Sequence, residues 1–154
     1  MIFQNITINS GGQAGVDRAA LDFALENNIK CGGWCPFGRL AEDGIIPQKY
    51  PLKETQTADY KERTRKNIED SDGTIIIYER IMDKGTLFTL DVVRSMRKPN
   101  FTVQIDSDQT FVKEEFNSWL NQNEIRVLNV AGPRESSIPG IYKQTLVFFK
   151  ELLK

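Results

Sequence analysis

The stretch Ile6-Thr7-Ile8-Asn9-Ser10-Gly11-Gly12-Gln13-Ala14-Gly15-Val16 decides the fold. Ile6-Thr7-Ile8 reads as a strand and Ser10-Gly11-Gly12 as its turn, and from Gly15 onward the apolar spacing becomes helical. Val16, Ala20, Phe23 and Ala24 fall at i, i+4, i+7 and i+8, a single apolar stripe that a helix would bury. Asn27-Asn28 closes the helix, and a short second strand is predicted over 29–32.

The same strand-then-helix step recurs along the chain. Thr57 is expected to cap a helix running to Glu69, and Thr74-Ile75-Ile76-Ile77-Tyr78 is apolar on both faces, as in a central parallel strand. A helix over 86–97, stopped by Pro99, leads to a strand over 101–105. Thr110 to Asn121 reads as a helix and 125–130 as a fifth strand; Ser137 and Pro139 open a last helix carrying Ile141, Thr145, Phe148, Phe149 and Leu152. Only 33–56 breaks the pattern: it holds Trp34, three prolines and three glycines without a clean period. A connection of that length inside a compact unit is usually functional. Five β–α units imply one α/β domain over 1–154, a three-layer sandwich with helices on both faces of a five-stranded parallel sheet. The expected strand order is 2-1-3-4-5, with the long loop over the C-terminal edge of the sheet, where ligands of such sheets bind.

Composition removes much chemistry. The 154 residues include 20 Lys+Arg, 21 Asp+Glu, two cysteines and no histidine. There can be no Ser–His–Asp or Cys–His site, and protein-ligated zinc or haem is not expected. A net charge of −1 argues against nucleic-acid binding. No apolar run approaches the roughly 18 residues of a membrane span, and the N-terminus shows no signal-peptide pattern. The expectation is a cytoplasmic protein with neither a nucleic-acid nor a membrane partner.

The unusual residues cluster at the predicted strand ends. Gly11, Gly12, Gln13 and Gly15 form a glycine-rich turn into a helix, whose N–H groups and dipole suit an anion; a tight turn with no ligand is the plain alternative. It is neither a G-x-G-x-x-G nor a phosphate-binding P-loop motif. Gly85 and Thr86, with Thr89 one turn on, repeat the pattern, and Thr86 is expected as the N-cap. Gly132, Pro133, Arg134 and Glu135 add a guanidinium suited to bidentate phosphate binding, unless Arg134 pairs with Glu135 or another surface acid. Tyr60, Arg63, Thr64 and Asn67 form a polar stripe, read as a solvated face, a pocket wall or a subunit contact. Cys31 is expected to pack as a small buried residue. Cys35 is placed on the rim as a reactive or ligating thiol candidate, and Trp34 as a ring-stacking platform or a plug for the loop.

The run Ser10–Asp22, with Gly32-Gly33-Trp34-Cys35-Pro36, Gly38-Arg39, Ala41-Glu42-Asp43-Gly44 and Ile46-Pro47, resembles the molybdenum cofactor carrier protein family. Ala58-Asp59-Tyr60, Arg63-Thr64, Asn67, Ser71–Thr74 and Asn129–Ser136 continue the match across nearly the whole chain. The resemblance implies a Rossmann-like fold related to LOG-type, lysine-decarboxylase-like nucleotide-binding proteins. It implies a small anionic ligand, the molybdenum cofactor (molybdopterin), a pterin with a terminal phosphate. It also implies a homo-oligomer, a dimer or tetramer, with molybdoenzymes as recipients. On this reading Gly11, Gly12, Gln13, Gly15, Gly85, Thr86 and Arg134 hold phosphate, while Trp34, Cys35, Arg39, Glu42 and Asp43 shape the remainder of the site. Two departures stand out: Ala14 where the family has Thr, and Lys84 where it has Gly.

Two other functions fit the same rim. One is a nucleoside-5′-monophosphate phosphoribohydrolase like the LOG-type relatives. Their Gly-Thr-x-x-Glu helix start ends here in Thr89, which cannot do a carboxylate's work, and Asp91 lies off that face. The other is a nucleotide-sensing module without turnover. A rim rich in phosphate-binding groups and poor in proton-transfer groups leads to the expectation of a binding protein, not an enzyme.

Overall fold

The computed structural model describes residues 2–105 and 112–154. Its main sheet is built from β1 (Thr7–Asn9), β2 (Cys31–Gly32), β7 (Gly73–Tyr78), β8 (Asn100–Gln104) and β9 (Val127–Ala131). Four short strands lie between them: β3 (Trp34–Cys35), β4 (Leu40–Ala41), β5 (Gly44–Ile45) and β6 (Lys53–Glu54). The helices are α1 (Val16–Glu26), α2 (Tyr60–Glu69), α3 (Lys84–Ser95), α4 (Val112–Gln122) and α5 (Ile141–Leu152).

Every pairing in the five-stranded sheet is parallel, and its order is β2-β1-β9-β7-β8. This corrects the expected connectivity. In chain order the strands run 2-1-5-3-4, because β9 inserts between β1 and β7. The pattern of alternating units reveals how many strands there are, but nothing in it records which pair. Read from β7 onward and returning through β1 to β2, the same sheet runs 2-1-3-4-5. The expected architecture is therefore present with the chain opened at a different connection. The reversal of strand order falls between β7 and β9, so the crevice beyond their C-terminal ends is where such a sheet offers a ligand site.

Alternation along β7 explains the layers. Ile75 and Ile77 join the larger core with Val16, Ala20 and Phe23 of α1, Phe116 and Leu120 of α4, and Phe148 and Phe149 of α5. Phe3 plugs this face, its ring centroid 5.4 Å from Phe23 and 6.0 Å from Phe149. The opposite layer is α2 and α3, joined through Ile68, Val92 and Val93.

Several boundaries differ from the sequence reading. Asp59, not Thr57, caps α2, accepting from Lys61 N at 2.9 Å. Asp83, not Thr86, caps α3, accepting from Thr86 N at 2.8 Å. The last helix starts after Gly140, later than Ser137 and Pro139 suggested. Thr110, expected to open α4, lies outside the described residues. The segment read as irregular over 33–56 contains two small sheets, β3 with β6 and β4 with β5. Their strands are two residues long, too short to show a period. Among the described residues no helix is long and apolar enough to cross a membrane.

Candidate functional site

Beyond the C-terminal ends of β1, β9 and β7 lies a cleft enclosing about 550 Å³, including its open mouth. Its walls come from the β1–α1 turn (Gly11, Gln13, Asp17), from α2 (Tyr60, Arg63, Thr64, Asn67), from the start of α3 (Asp83, Gly85, Thr89), and from the end of β9 onward (Asn129 to Gly132, and Arg134). The polar stripe on α2 is thus a pocket wall. It is polar because it faces the cleft rather than the core.

The floor is set by one close approach. A side chain at Gly11 would lie 2.7 Å from Cζ of Arg63, so only glycine lets that guanidinium rest against the turn. Arg63 Nη1 donates to Asp17 Oδ2 at 2.8 Å, with only 12% and 8% of the two side chains exposed. Burial pushes the Asp17 carboxyl up, against the pull of Arg63. Arg63 Nε is buried and has no partner among the described residues. Arg134 stands exposed on the rim and also has no partner among the described residues. It makes no pair with Glu135, whose carboxylate instead accepts from Gly140 N (2.6 Å) and Tyr142 N (2.9 Å) and so caps α5.

The two helix starts are less open than the sequence suggested. Val16 N donates to Pro133 O at 3.2 Å, and Thr86 N is taken by Asp83. Gly15, at φ 112°, sits against the loop after β9; a side chain there would meet Pro133 O at 2.5 Å. Gly15 and Pro133 therefore join the two loops rather than line the cleft. Gly12 likewise faces away, its carbonyl accepting from Arg18 Nε at 3.1 Å. Thr86 is buried beside the cap, its Oγ1 without a partner among the described residues, and Thr89, which does line the cleft, donates to Gly85 O at 3.1 Å.

The residues expected to shape the rest of the site lie elsewhere. Cys35 is fully buried among Leu21, Ile46, Tyr50 and Leu52, and burial pushes its thiol up; the half-buried cysteine is Cys31, the reverse of the expectation. Trp34 turns away from the cleft: its indole N–H donates to Asp70 at 2.8 Å, and Lys66 Nζ lies 4.7 Å from the ring centroid. Its backbone is pinned to α2 by Asn67, which accepts from Trp34 N (2.8 Å) and donates to Trp34 O (3.0 Å). Arg39, 7% exposed, spends its N–H groups on the carbonyls of Ile46, Pro47, Tyr50 and Leu52, folding its own segment. Glu42 and Asp43 form the tip of the β4–β5 hairpin behind the turn. Glu42 accepts from Ser136 N at 3.0 Å, and Asp43 takes Arg18 in a bidentate pair at 3.0 and 3.1 Å.

Ala14 lines a second hollow of about 700 Å³, its open mouth likewise included, between α1 and α5, so a hydroxyl there would not reach the main cleft. In that hollow Tyr50 and Tyr142 both donate to Asp22, at 2.6 and 2.5 Å. Lys84 is exposed and does not line the cleft either.

Sequence reasoning missed Asp17, Asp83 and Asn129. Asp17 carried a usable signal: a carboxylate in the first turn of a helix whose residues 16–21 are all apolar or small apart from itself and Arg18. With Asp17 and Asp83 present, the cleft is not poor in proton-transfer groups. Among the described lining residues, two carboxylates balance the two guanidiniums of Arg63 and Arg134.

Residues 8–153 match the circularly permutated YpsA SLOG family. The chain belongs to that family. The permutation is the one visible in the sheet, where β9 stands between β1 and β7. No curated protein matches the chain. Among solved structures, the "Putative molybdenum carrier protein" from Syntrophus aciditrophicus SB is 44% identical. The match covers 96% of this chain and 94% of that one, with a TM-score of 0.93. This SLOG family member is thus similar, over nearly its whole length, to a protein named as a putative molybdenum carrier, and it shares that protein's Rossmann-like sandwich.

Proposed function

We propose that this protein is a non-catalytic carrier of molybdenum cofactor that holds the phosphate end of the anionic pterin in the cleft. The single observation that supports it is a pair of guanidiniums with unspent donors at one place. Among the described residues the Arg134 side chain has no partner on the rim, and Arg63 lies across Gly11 with Nε buried and unpartnered. A buried donor left without a partner costs roughly 1–3 kcal/mol, which an anion seated there would recover. The name of the 44% identical neighbour agrees with this cargo. The chain's own residues fit the phosphate and not the metal. Cys35 is buried away from the cleft, and no cluster of three His, Cys, Asp or Glu side chains suited to a metal occurs among the described residues. Gly11, Gln13, Arg63 and Arg134 hold the anion, and molybdenum rides on the cargo. Incubation with the cofactor without oxygen, followed by gel filtration and pterin fluorescence, tests this. Co-elution with the wild type and its loss in Arg134→Ala is the expected result. No co-elution, or an unchanged Arg134→Ala, contradicts it.

A second reading has one observation in its favour. The buried Asp17 carboxyl in the cleft is a candidate acid for hydrolysis of a nucleoside monophosphate. Free base released from AMP by the wild type and not by Asp17→Asn would establish it.

A further inference from the structure

The four charges of the cleft are not equally available, and the imbalance says what the ring end of a ligand must offer. Asp17 is spent on Arg63. Arg134 and the buried Arg63 Nε are donors without a partner among the described residues, on the side of the β1–α1 turn and the loop after β9. On the α3 side stands Asp83, whose Oδ1 accepts from Thr86 N at 2.8 Å while Oδ2 has no partner among the described residues. As the N-cap of α3, Asp83 has its carboxylate fixed in direction by the helix backbone.

A phosphate is attracted to the first side and repelled by the second. A second or third phosphate meets no further cation among the described residues of the cleft lining, so a di- or triphosphate is disfavoured. We infer that Asp83 is a specificity-determining residue. It accepts hydrogen bonds from the donor edge of a planar heterocycle, selecting a phosphomonoester whose ring carries a ring N–H beside an exocyclic amino group. That edge presents two parallel donors to a carboxylate fork, the arrangement of a 2-amino-4-oxo pyrimidine ring. An adenine ring sets an acceptor nitrogen beside its amino group and meets the carboxylate with a lone pair. Hypoxanthine offers the ring N–H alone. The inference rests on the proposed reading that the cleft seats a phosphate, and it adds which ring accompanies that phosphate.

Calorimetric titration with inorganic phosphate, GMP, IMP and AMP tests it, using the wild type, Asp83→Asn and Arg134→Ala. Asparagine is also a good N-cap, so α3 keeps its start. The wild type should bind GMP about tenfold or more tightly than IMP or AMP, the discrimination a bidentate pair supplies. Asp83→Asn should erase that preference and leave inorganic phosphate bound as well as before, or better. Equal binding of GMP and IMP by a wild type that still binds phosphate overturns the role of Asp83 alone, as does a preference that survives in Asp83→Asn. Failure of all four probes, inorganic phosphate included, overturns the phosphate seat and the inference with it.

Discussion

Replacing Arg63 with Met removes the cation that neutralises Asp17 and leaves the chain's length and apolar stem in place. The two side chains are only 12% and 8% exposed, so water cannot take over. Breaking a buried pair by deleting one partner costs about 3–5 kcal/mol. For a domain of this size that lowers the midpoint of thermal unfolding by roughly 10 °C. The deficit should depend on pH with a definite sign. Burial already raises the Asp17 carboxyl, and losing Arg63 raises it further. A carboxyl whose folded pKa lies above its unfolded one contributes stability when protonated and loses it as pH rises through the folded value, by up to about 1.4 kcal/mol per pH unit. Urea unfolding of wild type and Arg63→Met, followed by circular dichroism between pH 5 and pH 8, should show a gap that widens with pH. Asp17→Asn added to Arg63→Met should close much of that gap. A deficit below about 1 kcal/mol at pH 7, or one constant over that range, refutes the account of this pair.

Three further outcomes follow from the same geometry. Gly11→Ala should fold with Arg63 displaced and should lose inorganic phosphate binding in a titration; retained affinity would show that the close approach is incidental. Burial, and then the shared Asp22 carboxylate, raise Tyr50 and Tyr142, so in a spectrophotometric titration these two of the four tyrosines should ionise well above pH 10. Because the folded value is the higher one, stability should fall as pH rises past 10, by up to about 1.4 kcal/mol per unit for each ring. Cys35 should resist iodoacetamide in the folded protein, while Cys31 reacts slowly, as mass mapping of the labelled peptide would show.

How far the chain could be read depends on what each feature leaves in the sequence. Helical stripes and the apolar run over 74–78 are local, so they placed the main strands and helices. Strand pairing is not local: the parallel neighbours of β9 are β1, near the start of the chain, and β7, in its middle, and no periodicity reports them. The rim was legible where glycines and a lone arginine follow a strand, as with Gly11, Gly132 and Arg134. It was misread in the segment 33–56, where Trp34, Cys35, Arg39, Glu42 and Asp43 look chemical yet build the support behind the turn. Arg39 shows why: a guanidinium that ties four carbonyls together has the same letter as one that binds a ligand. Asp83 was missed because a capping carboxylate and a binding one look alike before the cleft is seen.

The most direct test is a crystal structure grown without oxygen with the pterin phosphate cargo bound. Its phosphorus should lie between Arg134, Arg63 and the Gly11–Gln13 turn, at the reversal of strand order between β7 and β9. A phosphate seated instead in the hollow beneath Tyr50 and Tyr142, or one that touches neither guanidinium, would contradict it.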